Sequence, residues 1–183
     1  VIAEALETEG GELYLRPGKA IGDAGAVVLG AALQAVPAIP WTKLTLEENG
    51  LTAAGVTSLA PALRRPWGET GLQSLNVASN PLGDAGVVAL AKALPPSLTE
   101  LWLANTGCGD DGLVALAAAL PALTRLQTLS CASNLAGDRG WVALAGALPS
   151  LPALVTLWAD NMGSEGAAAL AAAIPQCPRL SSP

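Results

Sequence analysis

The amino-acid sequence predicts an α/β solenoid, in which short parallel strands form one layer and helices form the other. Three observations support this fold class. A unit marked by a recurring glycine occurs six times, with 26 to 31 residues between successive glycines. The first half of each unit alternates apolar and polar residues as a strand does, and the second half spaces its apolar residues as a helix does. Repeated strand–helix units of one handedness run their strands parallel, and stacking buries the faces that no single unit can bury.

The repeats cover most of the chain. "LQSLNVASNPLGDAGVVALAKAL" aligns with "LQTLSCASNLAGDRGWVALAGAL", and the leucines, asparagine, glycine and aspartate coincide. The repeats lie near residues 13–33, 41–63, 72–94, 98–120, 126–148 and 154–174. We predict one domain over residues 1–183, with partial flanking repeats at residues 1–10 and 175–183. Residues 1–10 resemble the end of a preceding helix, and "PQCPRL" reproduces the "PSLPAL" before the sixth repeat. We therefore hypothesise a fragment of a longer array, or ends covered by partners.

Local signals place the strand and the helix within each repeat. In the third repeat, Leu75–Val77 alternates as a strand, and Val87 and Leu90 lie on one helical face. The position two residues before the recurring glycine is polar in five repeats, where it holds Asp23, Asp84, Asp110, Asp138 and Ser164. We predict that each of these residues caps the first turn of its own helix. Ala53 is the exception.

The units resemble the leucine-rich repeat, LxxLxLxxNxLxxxGxxxLxxxL, and their long helical half resembles its ribonuclease-inhibitor-like subtype. That subtype also occurs in NOD-like receptors and in the activator of the Ran GTPase. The resemblance implies a right-handed horseshoe arc, with the parallel sheet on the concave face and the helices on the convex face. It also implies a ladder in which Asn49, Asn80 and Asn134 satisfy backbone groups of the turn after each strand. Thr106 takes this place in the fourth repeat, so that rung should be weaker.

Composition argues against several classes of function. The net charge is −6 without a basic stripe, so we expect no nucleic-acid partner. The chain has no histidine and 3 cysteines without a CxxC pair, so we predict no catalytic residue, metal site or cofactor. Cys108 and Cys131 occupy core positions of the repeat and should be buried thiols. The uncharged run 140–159 contains Pro149 and Pro152, so we expect no membrane span. An intracellular, by default cytoplasmic, location is expected.

The residues free to act alternate with the buried leucines and point out of the sheet. Their middle row reads Tyr14, Thr45, Asn76, Trp102, Ser130 and Trp158. Trp102 and Trp158 should stand two strands apart, with Ser130 between them. Glu100 and Asp160 place negatively charged side chains at the edge of the surface that these three residues form. Because exposed tryptophans are enriched at binding hot spots, we predict a protein-binding site here; the alternative is rings packed flat over small neighbours.

A second candidate is the insertion "RRPWGETG" at residues 64–71. Trp67 lies there between proline and glycine, close to two arginines. Two interpretations stay open: the loop folds back over a helix end, or Trp67 docks a protein partner.

We interpret the chain as a non-catalytic protein–protein interaction module, a scaffold or subunit of a larger complex that binds through its concave face. The alternative, implied by the resemblance alone, is a GTPase-activating protein of the Ran-activator type. A ligand-sensing array of an immune receptor is a third interpretation, and it would require an attached nucleotide-binding domain.

Overall fold

Strands and helices alternate through the chain as predicted. The computed structural model describes residues 6–9, 12–15, 18, 20–35, 41–65, 67 and 70–180. The strands form one sheet in chain order: β1 (Leu6–Glu9), β2 (Glu12–Leu15), β3 (Lys43–Thr45), β4 (Ser74–Asn76), β5 (Glu100–Trp102), β6 (Thr128–Ser130) and β7 (Thr156–Trp158). The helices that follow β2 to β7 are α1 (Gly22–Ala35), α2 (Ala53–Leu63), α3 (Gly83–Ala91), α4 (Asp110–Ala119), α5 (Asp138–Ala147) and α6 (Ser164–Ala173). Short 3-10 helices at Leu120–Ala122, Leu148–Ser150 and Ile174–Gln176 follow α4, α5 and α6.

The core lies between the sheet and the helix layer. Strands β2 to β7 are parallel, and Leu75 pairs with Leu44 on one side and Leu101 on the other. These three leucines are fully buried, and so are Leu90 and Leu116 on the facing helices. One leucine from each of the strands β2 to β7 and one from each helix therefore build a continuous core, which confirms the predicted solenoid. We call the side of the sheet that points away from the helices the open sheet face; it corresponds to the concave face of the predicted arc.

The predicted aspartate caps exist, but each aspartate caps the following helix. Asp84 in α3 accepts, through Oδ1, from the amides of Gly109 and Gly112 at the start of α4, at 2.7 and 2.9 Å. Equivalent bonds join Asp23 to Thr52 and Gly55, Asp110 to Gly137 and Gly140, and Asp138 to Gly166. Neighbouring helices begin at the same level, so the free amides of one helix lie beside the first turn of the helix before it. The prediction that each aspartate caps its own helix is wrong. We call these four residues the aspartate ladder.

The ladder explains the recurring glycine in those repeats whose helix a ladder aspartate caps. The amide of Gly112 donates to Asp84, so its α-carbon lies close to that carboxylate. A Cβ on Gly112 would lie 2.9 Å from Asp84 Oδ1 and 3.3 Å from Val87 Cβ. A Cβ on Gly140 would lie 2.9 Å from Asp110 Oδ1. Any larger residue would push the carboxylate away from the amides that it binds.

Two helices to which no described aspartate of the ladder is bonded begin differently. The second repeat has Ala53 at the ladder position, and α3 begins at Gly83 with φ +59°. The amide of Gly83 donates forward, to Thr106 O of the next repeat, at 2.9 Å. Gly22, at the start of the first described helix, has φ +60° and also donates forward. Gly109, which a ladder aspartate caps, has φ −97° instead. The carboxylate therefore decides which way the amide of this turn points.

The asparagine ladder implied by the resemblance is present. Asn80 Oδ1 accepts from Leu51 N at 2.9 Å, and its Nδ2 donates to carbonyls of its own and the preceding repeat. Asn134 makes the same kinds of bond one rung further on. Thr106 donates its hydroxyl to Asn134 Oδ1 at 3.0 Å. Leu82 N, the counterpart of Leu51 N, donates to the carbonyl of its own Asn80 instead. The Thr106 rung is weaker, as predicted.

The two flanking segments behave differently. Leu6–Glu9 is a strand antiparallel to β2, with Leu6 opposite Leu15. The prediction of a helix end is therefore wrong for these residues; the Gly-Gly pair that follows them in the sequence is a hairpin signal that the repeat alignment overlooked. At the other end, Cys177 is buried, and Leu180 N donates to its carbonyl at 3.1 Å. Leu154 N makes the same kind of bond, to Leu151 O, one repeat earlier. The partial flanking repeat at this end stays a prediction. Residues 1–5, 10, 11 and 181–183 lie outside the described residues.

Candidate protein-binding face

The sheet register assembles the predicted row of outward residues. The pairs run from Tyr14 to Thr45, Asn76, Trp102, Ser130 and Trp158, each with the next. The leucines on either side of each member in sequence point into the core, so these side chains lie on the open sheet face. Trp102 and Trp158 are two strands apart, which is about 10 Å at the usual strand spacing. We call Trp102, Ser130 and Trp158 the tryptophan row.

The members of the tryptophan row differ in exposure. Trp158, on the last described strand, is 54% exposed, and Trp102 is partly buried. Ser130 is only 3% exposed, although it lies on the open sheet face between them. Neighbouring side chains on this face must therefore cover it, and the two tryptophans are its neighbours across the strands. Tyr14 and Asn76, further along the row, are partly buried.

Carboxylates on the open sheet face are held in place by uncharged donors. Ser74 Oγ donates to Glu100 at 2.8 Å, and Ser133 N donates to Asp160 at 2.6 Å. Glu12 and Glu47 accept in the same way from Thr45 Oγ1 and Asn76 Nδ2, at 2.5 and 3.1 Å. These bonds orient the carboxylates without neutralising them. Lys43 is the one cation among the described residues that flank the middle row on this face.

Trp67 is not part of a binding face. It is 0% exposed, and its indole Nε1 donates to Ala62 O at 2.9 Å. Arg64 donates to Lys92 O, and Arg65 donates to two carbonyls at the end of α1. The insertion thus satisfies carbonyls that helix ends leave unpaired. The interpretation in which the loop folds back is confirmed, and the docking role of Trp67 is wrong because the ring is buried.

The thiols have the properties of core residues. Burial, with a smaller contribution from the charge of Asp84, raises the pKa of Cys108 to about 12. Burial also raises the pKa values of Cys131 and Cys177. All three thiols are free and protonated at neutral pH, which confirms the predicted buried thiols. Within the described residues, no group of three or more histidine, cysteine or acidic side chains is arranged to hold a metal ion.

Shallow grooves run between helices on the opposite side of the molecule. One of about 610 Å³ lies beside α2, α3 and α4, and its walls include Ala60, Ala85, Ala89 and Val88. Another of about 340 Å³ lies between α3 and α4 and is lined mostly by alanine. These grooves form because alanine side chains do not fill the space between helix surfaces. They bring together no tryptophan or tyrosine, unlike the open sheet face.

Comparisons with known proteins agree with this architecture. The sequence profile of the leucine-rich repeat matches residues 70–91, which contain β4 and α3. No curated protein sequence matches the chain. The leiomodin-1 actin-binding site 2 shares the fold with a TM-score of 0.63 and 16% identity, over 84% of this chain and 87% of that one. The tropomodulin C-terminal domain of Caenorhabditis elegans does so with a TM-score of 0.58 and 12% identity, over 85% and 93%.

Repeat and architecture together define the fold, which is that of a leucine-rich-repeat solenoid. At these identities, the likeness to the two solved structures is one of fold alone. The ribonuclease-inhibitor-like subtype stays a prediction. Among the described helices, none combines the length and the apolar character that crossing a bilayer requires.

Proposed function

We propose that this chain is a non-catalytic protein-binding module that holds its partner on the open sheet face, as a scaffold or subunit of a larger complex. The observation that carries the proposal is Trp158, which is 54% exposed beside Ser130 and Trp102. A large aromatic side chain in water is unfavourable in the free protein, and tryptophan is the residue type most enriched among binding hot spots.

The face is also preorganised for binding. Its strands are joined to one another by backbone hydrogen bonds, and Asn76 and Glu100 are both fixed by side-chain bonds across strands. Such a face loses little conformational entropy when a partner binds. Tyr14 and Asn76 extend the same row, so the contact would reach from the tryptophan row toward β2.

The partner should carry positive charge on the surface that docks. Glu12, Glu47, Glu100 and Asp160 are acidic, against Lys43 alone among the described residues of the face. The net charge of −6 adds a long-range attraction for cationic proteins. Association should therefore slow as salt concentration rises.

The fold neighbours suggest one specific partner to test. The leiomodin-1 domain is an actin-binding site, and the present chain resembles it in fold. Actin therefore belongs in the first binding assay, together with a partner captured from the native source and identified by mass spectrometry. The GTPase-activating alternative stays a prediction, and a GTP-hydrolysis assay tests it.

The deciding experiment is the double variant Trp102→Ala/Trp158→Ala, measured against the purified partner. If each tryptophan is a hot spot worth about 2 kcal/mol, the Kd of the double variant should rise about 1,000-fold when the two effects add, and about 30-fold when only one tryptophan carries the contact. The matched control is Val27→Ala/Val28→Ala, which removes two side chains, 53% and 55% exposed, from the helix side. A folded double variant that binds with the Kd of the control would contradict the proposal. Circular dichroism establishes that both variants are folded.

A further inference from the structure

The first described rung of the asparagine ladder contains a buried acceptor without a partner. Asn49 is 0% exposed, and among the described residues its Oδ1 is the one buried side-chain nitrogen or oxygen that makes no hydrogen bond. Its Nδ2 does donate, to Glu47 O at 2.8 Å and to Leu15 O of the preceding repeat at 3.4 Å. Buried acceptors are normally paired, because leaving one unpaired costs free energy. The Asn49 rung therefore lacks a donor in this conformation.

The other asparagine rungs show which donor belongs there. Leu51 N donates to Asn80 Oδ1 at 2.9 Å, and Cys108 N donates to Asn134 Oδ1 at 3.2 Å. Each of these amides lies four residues before the recurring glycine of its repeat, where the first repeat has Ile21. The donor that the first rung lacks is therefore the amide of Ile21.

A ladder aspartate accompanies the bond from this amide to the asparagine. Gly109 N donates to Asp84 at 2.7 Å, and the amide just before it, that of Cys108, is the one that reaches its asparagine. The start of α2 has the same arrangement, with Asp23 as the acceptor. At α1, Gly22 has φ +60°, and its amide donates at 2.9 Å to the main-chain oxygen of the rung asparagine instead. The turn before α1 therefore has the conformation of an uncapped helix start, although its rung has the asparagine of a capped one.

The other uncapped start, that of α3, does not have this mismatch. Gly83 N donates forward to Thr106 O at 2.9 Å. Threonine has no side-chain carbonyl to leave unpaired, and the hydroxyl of Thr106 is bonded to Leu103 O and Asn134. The forward-pointing amide thus leaves no buried acceptor unpaired at α3 but leaves one at α1. The mismatch indicates a second conformation of the turn before α1, which forms when a carboxylate binds the start of that helix.

The side of α1 from which such a carboxylate would come is exposed and apolar. Val28, three residues after the recurring glycine, has the position that Ala115 has on α4, and Ala115 lines the groove toward α3. Val28 is 55% exposed, because α2, the described helix that packs against α1, lies on its other side. Strand β1 already covers the edge of the sheet here. The missing neighbour is therefore a helix alone.

We propose that the exposed side of α1 binds a helix of a protein partner that carries an aspartate in its first turn. The aspartate carboxylate accepts from the amides of Gly22 and Gly25, in the way that Asp84 accepts from two amides of α4. Gly22 N turns away from Asn49 O, and Ile21 N then donates to Asn49 Oδ1. One docking event thus pairs both the amides of the helix start and the buried acceptor.

The chemistry of the site defines its occupant. Free amides at the positive end of a helix favour an anionic acceptor, so the partner must bring a carboxylate. A second copy of this chain does not offer one from its last described helix, because α6 has Ser164 at the ladder position. Binding at α1 requires no residue of the open sheet face, so this inference goes beyond the proposed function and is tested separately from it.

The probe is a peptide of residues 82–94, which contains α3 and its ladder aspartate. A hydrocarbon staple replaces the side chains at positions 86 and 90 and keeps the peptide helical, which circular dichroism establishes. Position 86 faces α2 and position 90 faces the core, so the staple leaves free the side that α3 turns toward α4. The matched control is the same peptide with the substitution Asp84→Ala.

Titration of the folded chain is followed by nitrogen–proton correlation spectra. We expect the amide signals of Ile21, Gly22 and Gly25 to shift, and the amide of Ile21 to exchange more slowly with solvent once it donates to Asn49. The Asp84→Ala peptide should bind about 2- to 30-fold more weakly, as the loss of a helix cap predicts.

Two variants of the chain locate the contact on α1. Val28→Asp should weaken binding of the peptide about 10-fold or more, because docking would bury a carboxylate without a partner. Val27→Asp adds the same charge one residue earlier and should bind as the wild type does. Val27 is 53% exposed, and its counterpart Val142 on α5 lines the groove toward the following helix. Both positions are exposed, so neither variant should disturb the fold.

Several results would each overturn the proposal. They are equal affinities for the peptide and its Asp84→Ala form, equal effects of Val27→Asp and Val28→Asp, and unshifted Ile21 and Gly22 signals at millimolar concentrations of helical peptide.

The indole signals of Trp102 and Trp158 distinguish this site from the open sheet face. They should stay in place during the titration; if they shift while the α1 signals do not, the peptide occupies the open sheet face and the proposal is wrong. A native partner that loses affinity in Val27→Ala/Val28→Ala but not in Val27→Ala uses the side of α1 as well as the open sheet face, which would support the proposal.

Discussion

Replacing Asp84 with alanine tests whether the aspartate ladder joins one repeat to the next. The substitution removes the acceptor of two bonds, from Gly109 N at 2.7 Å and Gly112 N at 2.9 Å. Loss of a helix cap costs about 0.5–2 kcal/mol, and hydrogen bonds to a charged acceptor lie at the upper end of such values. We expect the free energy of unfolding to fall by about 2 kcal/mol.

The matched control is Asp111→Ala. Asp111 is also an aspartate in the first turn of a helix, but it is exposed and pairs with Arg139 on the surface. Losing an exposed pair costs at most about 1 kcal/mol, and both variants lose the same favourable interaction with their own helix dipole. The difference between the two therefore isolates the ladder.

Urea unfolding followed by circular dichroism measures the stability, and amide hydrogen exchange locates the effect. In Asp84→Ala, the amides of Gly109 and Gly112 should exchange faster, although they lie in the following repeat. Equal destabilisation by the two variants, with unchanged exchange at both glycines, would refute the reasoning.

Three further predictions follow from the same architecture. Gly112→Ala should lower the free energy of unfolding by about 1–3 kcal/mol, because the added Cβ crowds the ladder carboxylate. Gly146→Ala, whose added Cβ meets nothing within 4 Å, should instead raise it by about 0.5–1 kcal/mol, and urea unfolding of both variants measures the two changes. Ala53→Asp should supply the missing ladder residue and raise the free energy of unfolding by about 1 kcal/mol. The control Ala54→Asp provides only the favourable interaction with the helix dipole and should stabilise less; equal stabilisation by the two variants would count against the ladder. Hydrogen bonds from the Thr52 hydroxyl and amide and from the Gly55 amide lower the pKa of Asp23, so its stabilisation is complete above the ordinary aspartate pKa of about 3.9 and is lost as the pH falls through the lower folded value. Asp23→Asn should therefore lose less stability than the wild type between neutral pH and the acid range, as measured by urea unfolding at several pH values.

Part of the candidate site was predictable because it depends on one simple property of strands. Side chains alternate across a sheet, so the positions between inward leucines must point outward. In-register stacking of identical repeats then places Trp102, Ser130 and Trp158 side by side. Exposure was not predictable in this way: it required knowing that neighbouring side chains cover Ser130 while Trp158 stays free.

The sequence by itself determined the solenoid and the outward row, because both follow from periodicity within a repeat, and its resemblance to the leucine-rich repeat implied the asparagine ladder. The tertiary structure alone decided two other features: the acceptor role of Asp84 toward the next helix, and the burial of Trp67 against Ala62. Each of these depends on which groups become neighbours in space once two segments have docked. A pattern read along a single repeat carries no information about a hydrogen bond whose partner lies in another segment of the chain.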